Sequence, residues 1–239
     1  MVREKLVDGR VPYVKEGGPF GNSNARYIGG NWYFGDFENG DYSRIEPDGS
    51  MSSVGKATRW NDHRFSLTGQ RVDVSGGRLN YNYFNGAIGF LSTARYPEEP
   101  ISIIDQIGHD FAYGTPFNPH IHWFQQSANV PNWLLAYKVM ENGETLSIET
   151  DYTNHTFLTI QSNAFTYSSG TLFQISSFGE IDTTGLTLSD HIHYVLFRDS
   201  ANTSTEFAGA DPSALEEFVV EFDVHYQIDA SGSRLEYTK

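Results

Sequence analysis

From Glu217 to Asp229 the chain alternates between apolar and polar residues: Phe218, Val220, Phe222, Val224, Tyr226 and Ile228 interleave with Glu221, Asp223, His225, Gln227 and Asp229. Successive side chains of a β-strand point to opposite faces, whereas a helix would spread these apolar residues around its axis. The segment therefore reads as one long strand with an apolar and a polar face. A strand of that kind needs a sheet to lie in and a second layer to lie against. Trp133, Leu135, Tyr137 and Val139 repeat the pattern and are expected to line one side of another strand.

Further strand candidates stand at DYSRIE, SMSSVGKATRW, RLNYNYF, ISIIDQI, FNPHIHWF, TLSIETDY, HTFLTIQ, TLFQISSF and HIHYVLFR. Turn signals separate them, including Pro47-Asp48-Gly49, Asn85-Gly86 and Asn142-Gly143, in which Pro presets φ and Gly accepts positive φ. Many short strands with such punctuation indicate an all-β sandwich or barrel. An aromatic content of 15% and twenty-three glycines suit that class. The one helical signal is Asp211-Pro212, an N-cap followed by Pro at the first helical position. Residues 1–39 lack a sustained period and are expected to form an extended N-terminal arm, with residues 40–239 as the β domain. Trp32, Tyr33, Phe34 and Phe37 make the arm too apolar to remain in water. They are the candidate interaction residues, packing on the domain or on a neighbouring molecule.

Thirty acidic residues face sixteen basic ones, for a formal charge of −14. Phosphate backbones are bound through Lys and Arg, so this balance argues against nucleic acid and against an anionic membrane surface. The absence of cysteine excludes disulfides, thiolate metal sites and Cys nucleophiles. The first residues, MVREKLVDGRVPYVKEGG, carry no apolar signal region, and no run approaches the ~18 apolar residues of a membrane helix. The expectation is a soluble chain made in a cytoplasm.

His120-Ile121-His122 and His191-Ile192-His193 both place two imidazoles on one face of a strand, where a pair can grip a metal ion. Gly114, five residues, His120 and His122 match the opening of a cupin metal motif, but Gln125 and Gln126 follow where the cupin glutamate belongs. Imidazoles also serve as compact hydrogen-bonding groups inside packed strands, and Trp123 and Tyr194 directly after the pairs fit that use. The expectation is that no metal or other cofactor is held, with His120 and His122 as the alternative ligands of a cupin-like metalloenzyme. Gly-x-Ser-x-Gly, P-loop and Gly-x-Gly-x-x-Gly motifs are missing, so no catalytic residue is assigned.

Three segments, GDYSRIEPDGSMSSVGKATRWNDHRF, HDFAYGTPFNPHIHWF and EFDVHYQIDASGSRLEYTK, resemble in order and spacing a family of tailed-phage virion structural proteins. The resemblance spans residues 40–239. It implies a single antiparallel sandwich of jelly-roll type built into the virion, without catalytic residues. The implied roles are capsid decoration, cement or head-fibre base, in a homo-oligomer such as a trimer that contacts other virion proteins such as the major capsid protein. The alternatives are a tail or neck accessory and a carbohydrate-binding, receptor-recognising module.

Overall fold

The computed structural model of the chain describes residues 25–36, 39–67, 71–72, 83–84, 87–90, 100–126, 128, 131–141, 143–144, 152, 154–160, 172–199, 205–206 and 217–231. Among these residues every regular element is a strand apart from short 3-10 turns, and three antiparallel sheets result. The protein is all-β. Phe37, most of the expected strands at 78–84 and 145–152, and the helical signal at 211–216 lie outside the described residues. The chain divides into two compact units: residues 1–61, 108–113 and 227–239 form one, residues 62–107 and 114–226 the other.

In the smaller unit β1 (Ala25–Ile28), β2 (Asn31–Asp36), β3 (Asp41–Ile45) and β4 (Met51–Val54) form an up-and-down sheet in that order. The Pro47-Asp48-Gly49 turn closes the last hairpin: Gly49 N–H donates to Glu46 O at 2.9 Å, and Asp48 Oδ1 accepts from Ser50 N–H at 3.1 Å. After β4 the chain makes a 3-10 turn (Gly55–Ala57) that only glycine can open. Gly55 has φ +60, and a Cβ there would stand 2.3 Å from Asp41 Oδ1, which accepts the Lys56 N–H at 2.9 Å. The expected arm is thus corrected over its described part. Residues 25–36 are two strands, and β2 pairs with β3 from Trp32↔Ile45 to Asp36↔Asp41, so a boundary at residue 39 would fall inside a hairpin.

The larger unit is a sandwich. Its first sheet runs in the order β13 (Leu172–Ser177), β10 (Asn118–Gln125), β15 (Glu217–Ile228), β8 (Ala87–Phe90), β7 (Tyr83–Phe84), and β5 (Arg59–Ser66) also pairs with β15. Its second sheet runs β12 (Thr156–Thr159), β11 (Trp133–Met140), β14 (His191–Arg198), β9 (Ile101–Gln106), β6 (Arg71–Val72). Neither sheet closes into a barrel. Between them Trp123 meets Trp133 with ring centroids 5.9 Å apart, Phe90 meets Trp133 at 5.1 Å, and Tyr194 meets Phe222 at 5.1 Å. These rings are excluded from water, and their burial is the main favourable term in holding the layers together. Several polar groups inside are paired: Trp123 Nε1–H donates to Ser176 Oγ at 3.0 Å, Arg198 donates to the Phe90 carbonyl at 3.1 Å, and His63 Nδ1 sits 2.9 Å from Asp105.

Two expected alternations change on folding. In β15 the pairing with β10 shifts between His122↔Glu221 and Trp123↔Val219, leaving Val220 as the extra residue of a β-bulge. The bulge reverses the inward phase, so Glu217 and Val219 are buried on one side of it and Phe222, Val224 and Tyr226 on the other, while Phe218 and Val220 are only half-buried. In β11, Leu134 and Ala136 are as buried as Trp133 and Leu135. The second face of that strand forms a further apolar cluster with Val195 and Phe197, against which Tyr152 and Phe157 pack.

Candidate functional site

On β10 the inward positions are taken by Ile121 and Trp123, which leaves His120 and His122 on the outer face of the six-stranded sheet. Past its bulge β15 turns Phe222, Val224 and Tyr226 inward, and Glu221, Asp223 and His225 come to the same outer face. The register sets His120 opposite Asp223, His122 opposite Glu221 and Asn118 opposite His225. On β5, His63 and Phe65 pack inward on Tyr226 and Phe222, so Asp62 and Arg64 face outward beside β15. Three strands far apart in sequence therefore deliver three imidazoles and two carboxylates to one place.

The geometry is tight. His120 Nε2 lies 2.6 Å from Asp223 Oδ1, and His122 Nε2 lies 3.4 Å from Asp223 Oδ2. His225 Nε2 lies 3.0 Å from Asp62 Oδ1, whose other oxygen accepts from Arg64 at 3.2 Å. The His120 ring stacks on His122 at 5.3 Å and meets His225 edge-on at 4.2 Å. Asp223 is 2% exposed and His120 5% exposed. Asp223 Oδ1 thus has His120 as its ion-pair partner, whereas the buried His122 Nε2 has no directed hydrogen bond. Burial works against a charged His120, but Asp223, the Asn118 carbonyl and Asp62 outweigh it and raise its pKa. One ligand atom from each of His120, Asp223 and His225 falls within 4.8 Å of the others.

The second His-x-His pair belongs to the five-stranded sheet. His193 Nε2 and Ser102 Oγ are 2.5 Å apart, and His193 Nδ1 lies 3.4 Å from His155 Nε2. Burial, with His155 adding to it, pushes the His193 pKa down to about 4, so this ring is neutral at pH 7. Among the expected interaction residues, Trp32 and Tyr33 are half-buried in β2 and Phe34 is 43% exposed. Trp32 packs on Tyr27 at 5.2 Å and on Phe34 at 6.1 Å, while Tyr33 meets Tyr42 from the opposite face at 5.4 Å.

Reading the His-x-His pair by itself missed Asp62, Asp223 and His225. Their signal was present: all three are polar positions within the first and third of the resembling segments, and Asp223 and His225 share the polar phase of the 217–229 alternation. What a linear reading lacks is the register that sets them beside His120. Compared with known proteins, the chain matches no protein-family profile and no curated protein, so the likeness to virion proteins rests on the three segments alone.

Proposed function

We propose that this chain is a non-enzymatic structural protein of a tailed-phage particle, a decoration, cement or head-fibre-base subunit of jelly-roll type. In this reading it associates with copies of itself, as a trimer, and with a neighbouring virion protein such as the major capsid protein. The observation that carries the proposal is the sheet of the smaller unit. Across β1 to β4 no described side chain is buried, yet Tyr27, Trp32, Ile45 and Met51 form a cross-strand row on one face, with Phe34 beside Trp32. Antiparallel sheets ordinarily cover one face, and an apolar face left half-open, with Phe34 and Met51 exposed, marks an interaction surface. The resembling segments support the same reading. Their strands β5 and β10 both pair with β15 in one sheet, while β3 and β4 of the first segment lie in the sheet of the smaller unit.

The test is incorporation into particles. Wild-type protein is expected in purified virions at a fixed copy number, measured by quantitative mass spectrometry. A Trp32→Ala, Phe34→Ala double variant is expected to fold but to be incorporated at least tenfold less, because burying two such rings contributes several kcal/mol before ordering costs. Absence of the wild-type chain from particles, or equal incorporation of the variant, would sink the proposal.

A further inference from the structure

We propose that His120, Asp223 and His225, with His122 as a fourth ligand, form a binding site for a divalent transition-metal ion, zinc foremost, on the outer face of the six-stranded sheet. Three imidazoles and one carboxylate are a donor set suited to four-coordinate zinc, with bonds of about 2.0–2.2 Å. At those bond lengths a tetrahedron separates its ligand atoms by about 3.3–3.6 Å. The ligand atoms of His120, Asp223 and His225 lie within 4.8 Å of one another, His120 and Asp223 at 2.6 Å, and His122 Nε2 stands 3.4 Å from the second Asp223 oxygen. Small side-chain rotations, without movement of β10 or β15, would equalise them.

A plain ion-pair role accounts for the almost wholly buried Asp223, whose Oδ1 has His120 Nε2 at 2.6 Å, but leaves one observation unexplained. The buried His122 Nε2, 3.4 Å from the other oxygen, has no directed hydrogen bond. Leaving such a group unmade in a folded protein is costly, and a cation beside it supplies what it lacks. The surroundings are those of a supported site. Asp62 holds His225 at 3.0 Å and is itself held by Arg64, so a carboxylate orients that imidazole as second-layer carboxylates do at metal centres. The side chain of His225 is 44% exposed and gives the ion a path in. The site differs from a cupin centre, since two of its ligands come from β15 and none from a glutamate following the His-x-His pair.

The experiment uses the untagged full chain, stripped with a chelator and titrated with zinc by calorimetry, with elemental analysis after gel filtration. One zinc per chain is expected. Cobalt in its place should give the visible absorption of a tetrahedral site. His225→Gln, at a half-exposed position on the outer face of the sheet, is expected to lower zinc affinity at least 100-fold, and Asp223→Asn to do the same. Asp62→Asn is expected to weaken binding about 10- to 100-fold by freeing His225. His193→Gln, on the other sheet, should change nothing. Failure of the wild-type chain to take up stoichiometric zinc would overturn the assignment, as would retention of it by both His225→Gln and Asp223→Asn. Particle incorporation is a separate measurement, so either proposal can fail without the other.

Discussion

His193 shows how placement decides the chemistry of a single residue. Its ring on β14 faces Ser102 of β9 and His155, and the register sets Lys138 of β11 opposite it. An unfolded histidine takes up a proton near pH 6.5. His193 in the fold resists protonation until about pH 4. Between these values the unfolded chain binds more protons, so stability rises with pH across that window. The contribution is complete above about pH 6.5 and is lost as pH falls towards 4. After allowance for the partial exposure of the ring it amounts to about 1–2 kcal/mol. Urea unfolding of the wild type and of His193→Gln at pH 7.5 and pH 4.5 should therefore diverge, with the wild type losing about 1–2 kcal/mol more between the two. Parallel losses would show that this ring does not resist protonation. His120 carries the same side chain in the same local pattern, yet its pKa moves upward because Asp223 lies opposite it.

At the scale of the element, the bulge in β15 controls the site. Inserting Val220 reverses the phase of the strand, which lets the first part bury Glu217 and Val219 while the second buries Phe222, Val224 and Tyr226. That second phase sends Asp223 and His225 to the face that carries His120. Simple alternation would bury Val220; the structure buries Val219 completely and Val220 only in part. Isosteric substitutions separate the two. Val219→Thr puts a hydroxyl into the interior and is expected to cost about 1–3 kcal/mol, whereas Val220→Thr should stay within about 0.5 kcal/mol. Equal costs, or the reverse order, in chemical denaturation would show that the phase does not switch. β11 departs from alternation for another reason: both of its faces are covered, and a strand buried on both sides reads as a continuous apolar run.

For the whole molecule, the contrast between units matters most. The larger unit buries the facing sides of its two sheets around an aromatic interior. The smaller unit has a sheet with no described residue buried, and in the present proposal another chain covers it. Light scattering of the purified protein at micromolar concentration is expected to give a multiple of the 26.9 kDa chain mass, a trimer in the present proposal. The Trp32→Ala, Phe34→Ala variant should shift it towards the monomer. A wild-type monomer would remove the basis for self-association.

The sequence by itself determined the class of this protein. Period-two segments, turn dipeptides and abundant aromatics left no stable alternative to β-sheets, and the strands at 101–106, 118–125, 133–140, 172–177 and 191–198 lie where those patterns stand. Local geometry enforces these features, so a local reading finds them. It could not see that residues 25–36 join β3, because aromatics interrupted by glycines have no clean period and only pairing to a neighbour makes strands of them. Nor could it see the His120, Asp223, His225 cluster. Its members come from strands about a hundred residues apart, and their meeting depends on strand order, on register and on one extra residue in β15. Those are properties of how strands pair, and pairing is settled by the tertiary packing of two layers around Trp123, Trp133 and Phe222, which bury their apolar faces in only one register.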